Sequence, residues 1–356
     1  MNVAKYQVAT HHASASFDLI EWREAERLGR AIVQAVNERD SIIAAEGLDP
    51  TFCLPAAAWR RDGENQVYPA YALLSRLDPA DVRFLRVRAQ GFSDYSLLYM
   101  DFCRGRSAMA PIDSDIDSRI PPDPTPPTIV LHWQLLVDQL PRRFWHERPH
   151  ALGEAGWWVD GILLNWDTIV YQERMTLLYR SRILESLARI ARAPRILEIG
   201  GGYGALAHTL SNVFPGCSYT ICDIPESLLF SGLYLKLATK KTVELGMPSP
   251  GMISLLPNYR FAQLDGQRFD LVINTLSLSE MTEHQATTYA TGIKRLIGSE
   301  GVFFEQNHDN RRVGLIHCKD MLASVFPSRR SVALTNVTMT RGEADVWANA
   351  DAVLAS

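Results

Sequence analysis

Residues 195–206 read RILEIGGGYGAL, and the order of residue types in this stretch decides the fold. Ile196, Leu197 and Ile199 make a nearly continuous apolar run, as expected of a strand buried on both faces of a parallel sheet. Glycines begin where that strand should stop. Beyond them Ala205, Leu206, Leu210 and Val213 recur at near-helical spacing, so the segment reads strand, tight glycine turn, helix. Such a unit opens a nucleotide-binding doubly wound sheet, in which glycine lets the backbone approach a ligand that a side chain would push away.

Downstream, the pattern alternates as a parallel sheet requires. Strands are predicted at 218–222, 252–256, 269–273 and 302–305, with helices over 226–245, 284–297 and 317–326 and two terminal strands at 331–335 and 344–348. Upstream, residues 17–45 and 71–88 carry apolar residues at three- and four-residue spacings, as amphipathic helices do. Residues 120–128, IPPDPTPPT, place five prolines in nine positions and predict an extended connector that excludes helix. A tryptophan-rich stretch (Trp133, Trp145, Trp157, Trp158, Trp166) and a helix over 171–192 then lead into the glycine turn. The expected organisation is a mainly helical N-terminal domain (1–125) serving as substrate lid or dimerisation surface, a connector and pocket segment (126–170), and a ligand-binding α/β domain (171–356).

Composition narrows the partners. The 356 residues carry 36 Lys and Arg against 40 Asp and Glu, a formal charge of −4, and show no basic stripe of the kind that neutralises phosphates, so nucleic acid is not expected. Five scattered cysteines without a CxxC pair indicate neither a disulfide framework nor a zinc knuckle. No apolar run is long enough to span a bilayer and the N-terminus lacks a leader-like core, so a cytoplasmic protein without membrane association is expected.

Which nucleotide the turn holds is not settled by the glycines, because Gly200, Gly202 and Ala205 also satisfy the dinucleotide fingerprint. Asp223, nineteen positions after Gly204, suits the ribose hydroxyls of either NAD or S-adenosylmethionine. Glu198, two residues before Gly200, discriminates: a carboxylate there repels a pyrophosphate and tolerates a sulfonium and an ammonium. With these motifs the chain resembles the class I S-adenosylmethionine-dependent methyltransferases, through EIGGGYG (198–204), Asp223 and FDLVIN (269–274). It is most similar to the sugar O-methyltransferase family, through LEIGGGYGALA, YTICDIPESLLFSGLYL and VINTLSLSEM. The resemblance covers residues 171–307 and leaves the first 120 out.

The resemblance implies a Rossmann-like methyltransferase sheet, mostly parallel, with S-adenosylmethionine as cofactor. Glu198, Gly200, Gly202 and Gly204 would surround its methionine part, Asp223 its ribose and Ile224 its adenine. Asn274, ending FDLVIN, joins the cofactor set. Asn258 stands where related enzymes place an acidic contact to the adenine amino group; its carbonyl could accept that bond, or it could simply close a Pro-Asn turn. Tyr171 and Arg174, one helical turn apart, either reach the cofactor carboxylate or lie on a solvated helix face.

Reacting groups gather beyond the carboxyl ends of the strands. A hydroxyl acceptor must lose a proton, so a base is needed. Glu280 and His308 are the candidates; the alternatives are a helix-terminal charge for Glu280 and an exposed loop histidine for His308. No metal ligand set is expected. The reading is a methyltransferase acting on a hydroxyl of a sugar or sugar-like small molecule, with N- or C-methyl transfer in natural-product biosynthesis as the alternative. A NAD-dependent oxidoreductase and a non-catalytic cofactor-binding subunit are the readings from other classes. A homodimer through the N-terminal helices is the oligomeric expectation.

Overall fold

The computed structural model describes residues 7–10, 19–56, 59, 67–89, 126–147, 149, 151–159, 161–334 and 342–355. Its centre is an eight-stranded sheet of β4 (Arg195–Ile199), β5 (Ser218–Asp223), β6 (Val243–Leu245), β7 (Ile253–Pro257), β8 (Leu271–Thr275), β9 (Val302–Gln306), β10 (Ser328–Ala333) and β11 (Glu343–Ala348). The spatial order is β10-β11-β9-β8-β4-β5-β7-β6. From β6 to β9 every neighbouring pair is parallel; β11 joins β9 antiparallel and β10 pairs antiparallel with β11. This is the mostly parallel, Rossmann-like sheet that the glycine turn predicts. After β7 the chain crosses back to lay β8 on the other side of β4, so the order reverses at β4, where such sheets bind ligands. A smaller antiparallel sheet joins β1 (Gln7–Thr10), β2 (Ala155–Val159) and β3 (Ile162–Leu164).

The helices are α1 (Leu19–Glu46), α2 (Pro50–Cys53), α3 (Val67–Leu74), α4 (Pro79–Val82), α5 (Leu85–Arg88), α6 (Pro126–Val137), α7 (Trp166–Arg180), α8 (Ile183–Arg189), α9 (Ala205–Val213), α10 (Pro225–Ala238), α11 (Glu283–Ile297), α12 (Cys318–Val325) and α13 (Asp351–Ala355). Helix α1 packs against α10 at a glycine on each: a Cβ on Gly29 would meet Leu233 at 3.4 Å, and one on Gly232 would meet Ile32 at 2.7 Å. One apolar core joins Ala25, Leu28 and Ile32 of α1 to Leu228 and Leu229 of α10 and to Ile196 and Ile221 of the sheet.

Several boundaries differ from the sequence reading. The proline-rich connector does not stay extended to residue 128, because α6 begins at Pro126; proline in a first helical turn gives up an N–H that has no intrahelical partner anyway. Residues 120–125 lie outside the described residues, as do His11 and His12. The 71–88 helix is three short ones, interrupted where Asp78 caps α4 and Pro79 takes its first position. The helix expected over 171–192 starts earlier, at an Asn165–Thr168 capping box, and breaks at Arg182, whose φ is +60°. The helix over 226–245 stops at Ala238, and Val243–Leu245 instead adds the edge strand β6. Trp133 and Trp166 are buried, and Trp133 meets Trp145 edge-on at 5.2 Å, which is core packing and no pocket wall.

Candidate active site

A cleft of about 830 Å³, its open mouth included, lies beyond the carboxyl ends of β4, β5 and β8. Its floor is the glycine turn. Gly200, Gly202 and Gly204 have φ of +74°, +55° and +92°, the region that side chains rarely adopt. They are glycine for different reasons. A Cβ on Gly200 would fall 2.1 Å from Ser277 Oγ, and one on Gly204 2.9 Å from Leu235; at Gly202, which lines the cleft, nothing among the described residues lies within 4 Å. Gly202 therefore presents open backbone to whatever occupies the cleft.

Asp223 ends β5 and lines the cleft beside Ile224, the residue preceding α10. Its carboxylate accepts from Gly202 N at 3.3 Å and Ile224 N at 2.8 Å, which ties the glycine turn to the strand end. Burial pushes its pKa up to about 7, partly countered by these backbone N–H groups. Glu198, in β4, is not among the cleft-lining residues. It lies under the turn, 3.3 Å from where a Gly201 Cβ would project, and accepts from Tyr219 Oη at 2.8 Å. Burial raises its pKa to about 7 as well, so its charge is half suppressed near neutrality and repels a pyrophosphate less than an ionised carboxylate would.

Asn258 lines the cleft just past β7, where a 3-10 turn (Asn258–Leu264) begins. Its Nδ2 donates to the Cys53 carbonyl at 2.8 Å, which fixes the amide's orientation, and its buried Oδ1 has no partner among the described residues. A buried acceptor left unsatisfied costs about 1–3 kcal/mol, so this oxygen is poised for a donor on a ligand. Asp265 and Gly266, by contrast, form an exposed turn, with Gly266 at φ +84°. Asn274 is fully buried and spent internally: it donates to the Ile199 carbonyl and Ser277 Oγ and accepts from Leu278 N and Asn307 Nδ2.

Tyr171 and Arg174 are not on a solvated helix face; they are 8% and 6% exposed. The α7 helix is buried nearly all round, because α6, the 142–144 turn, α8 and β10 pack against it. The Arg174 guanidinium sits 4.6 Å from the Tyr171 ring centroid, its Nε lacks a hydrogen-bond partner, and no carboxylate lies within ion-pair distance among the described residues. A buried cation in that state calls for an anion. Burial also lifts the Tyr171 hydroxyl to a pKa of about 12.

Glu280 lines the cleft from a 3-10 turn after β8 and accepts from Trp59 Nε1 at 3.0 Å. Thr282 caps α11 in a box with Gln285, so Glu280 stands two residues before that cap, beside the helix terminus that its alternative reading names. His308 is half-buried beyond β9 and is not among the lining residues. Among the described residues no group of three or more His, Cys, Asp and Glu is placed to hold a metal ion.

The wall opposite the glycine turn comes from the N-terminal region and was not singled out in the sequence. Phe52, Pro55, Ala56 and Trp59 line the cleft, and the Tyr289 ring of α11 packs against Phe52 at a 56° tilt with ring centroids 4.9 Å apart. Backbone carbonyls hold this strap down: Gln285 Nε2 donates to Leu54 O at 2.8 Å and Phe52 O at 3.3 Å, alongside the Asn258–Cys53 bond. Outside the cleft, His284 meets Asp49 at 2.6 Å.

The family model of an O-methyltransferase domain matches residues 168–246, less than a quarter of the chain but including α7 from its third residue, the glycine turn and Asp223. No curated protein matches. Solved structures similar to parts of the chain include the N-methyltransferase NodS of Bradyrhizobium japonicum WM9 with S-adenosyl-L-homocysteine, at 17% identity and TM-score 0.33, over 48% of this chain and 84% of that one. The O-methyltransferase TomG of Streptomyces achromogenes, involved in tomaymycin synthesis and solved with SAM, has 14% identity and TM-score 0.34 over 48% of this chain and 80% of its own. Spermidine synthase of Thermotoga maritima gives 20% and 0.34 over 55% of this chain and 65% of its own. Likenesses at this level carry no argument about what the chain does, which rests on the site.

Proposed function

We propose that this chain is an S-adenosylmethionine-dependent methyltransferase that moves a methyl group to a hydroxyl of a sugar or sugar-like small molecule. The observation that carries the cofactor reading is the convergence on one cleft of an open Gly202, the Asp223 carboxylate and the unpartnered Asn258 Oδ1. These suit a nucleoside: Asp223 accepts from ribose hydroxyls, Asn258 Oδ1 accepts from an exocyclic amino group, and Ile224 with the Phe52 and Tyr289 rings supplies apolar surface for a base. Arg174, buried and not among the cleft-lining residues, is in this reading the cation for the methionine carboxylate, and the domain match over 168–246 spans Arg174, the turn and Asp223. Bound there, S-adenosylmethionine supplies a methyl group on a good sulfonium leaving group.

Glu280 lines the cleft, so it is the base in this reading, with His308 set back from the wall. The bound cofactor would supply the methyl group and depart as S-adenosylhomocysteine, while the Glu280 carboxylate would take the proton that the acceptor hydroxyl gives up. Orientation is the rest of the task. Trp59 offers an apolar face to a sugar ring while its N–H fixes Glu280. One observation favours a second reading, N-methyl transfer: the charged residues on the described cleft wall are both carboxylates, Asp223 and Glu280, which suits an ammonium-bearing acceptor too. Incubation with methyl-labelled S-adenosylmethionine and panels of sugars and amines separates the two. Label in sugars that falls at least a hundredfold in Glu280→Gln supports the hydroxyl reading; label confined to amines, unaffected by that change, overturns it.

A further inference from the structure

The glycine turn, 200–204, has one residue with a side chain by which it can be gripped, Tyr203, and that side chain is 2% exposed. Its hydroxyl donates to Asp167 Oδ2 at 2.6 Å. The Arg86 guanidinium lies 4.0 Å from its ring centroid, and the Tyr171 and Tyr234 rings meet it edge-on at 5.8 and 5.0 Å. Arg86 in turn donates through NH2 to the same Asp167 oxygen at 2.8 Å and through Nε to Glu154 at 2.6 Å. Asn165, which caps α7, donates to the other Glu154 oxygen. Tyr203, Asp167, Arg86, Glu154 and Asn165 are each at most 4% exposed.

Buried ionic groups of this kind are a poor way to gain stability, since well-packed apolar residues usually serve as well. What they do supply is fixed geometry. We infer that Arg86 and Asp167 are positioning residues for the cofactor-binding turn, acting through Tyr203, so that the N-terminal segment bearing Arg86 sets the posture of Gly202. The inference rests on the S-adenosylmethionine reading for its ligand, but not for its first test. Arg86 comes from α5, far upstream of the matched domain, and Asp167 immediately precedes it. The N-terminal region thereby touches both sides of the cleft, as a wall through Trp59 and as a support under the turn through Arg86.

Tyr203→Phe keeps the ring and removes the hydroxyl. Amide hydrogen exchange of residues 200–204 in the ligand-free variant should quicken about tenfold, and S-adenosylhomocysteine titrated by calorimetry should bind about tenfold more weakly. Asp167→Asn should act in the same direction. Leu322→Val, a comparable loss of packing in the fully buried core under α12, should lower the melting temperature and leave both readouts as in the wild type. Unchanged exchange in Tyr203→Phe overturns the positioning role, as does an affinity within twofold of wild type. Wild type that ignores S-adenosylhomocysteine while the exchange result holds overturns the cofactor reading instead.

Discussion

At Gly202 the open space and the positive φ together specify glycine, and they make separable predictions. Gly202→Ala adds one methyl into empty cleft and strains the backbone by about 1–2 kcal/mol. The protein should stay folded by circular dichroism and lose at least tenfold in affinity for S-adenosylhomocysteine. Gly200→Ala drives a methyl into Ser277 and should mainly lower the melting temperature, by more than Gly202→Ala does. For Asn258, Oδ1 is the group at stake. Asn258→Ala should weaken S-adenosylhomocysteine by about 1–3 kcal/mol and leave inosine-containing analogues, which lack the amino donor, equally bound by both proteins. Glu198 shares the pH dependence with Asp223, whose pKa burial also raises to about 7. The folded pKa of Glu198, about 7, exceeds the ordinary 4.5, so its contribution favours folding at low pH and is lost as pH rises through 7. Between pH 8 and pH 6 thermal unfolding should show roughly 1 kcal/mol of added stability from this group, and Glu198→Gln should remove that increment.

Among the elements, the strap over the cleft is the one that local sequence conceals. Gln285 holds it from 231 and 233 residues away, and Asn258 from 205. Gln285→Ala should therefore speed amide exchange across residues 50–56 and destabilise the fold by about 1–3 kcal/mol, because two carbonyls lose a donor. Should exchange there stay as in wild type, the amide does not hold the strap. The strands and the glycine turn were legible because periodicity and glycine act locally; β4, β5, β7, β8 and β9 lie within two residues of where the sequence puts them. Asp223, Asn258, Glu280 and the turn reach one cleft for the same reason, since strand ends fall together in a parallel sheet. What failed depends on distant partners. Periodicity reads Arg174 as surface until α6 and β10 pack against α7, and β6 becomes a strand only by pairing with β7. The Asp78–Pro79 break and the Asn165–Thr168 box were readable signals that the amphipathic pattern overrode.

For the molecule as a whole, the sheet and the N-terminal helices form one packed core around α10, so the cleft is completed only when both parts are in place. In the proposed function one framework would link cofactor and acceptor: the turn is backed by Arg86 and Tyr203, the proposed base-binding side by Asn258 and the strap, and the proposed acceptor side by Trp59 and Glu280. No helix among the described residues is long and apolar enough to cross a membrane. The central claim is that this cleft is built for S-adenosylmethionine, and that the glycine turn does not receive a dinucleotide. Calorimetric titration of the intact protein with S-adenosylmethionine, S-adenosylhomocysteine and NAD, side by side, tests it most directly. The account predicts saturable binding of the first two and none of NAD; binding of NAD alone would contradict it.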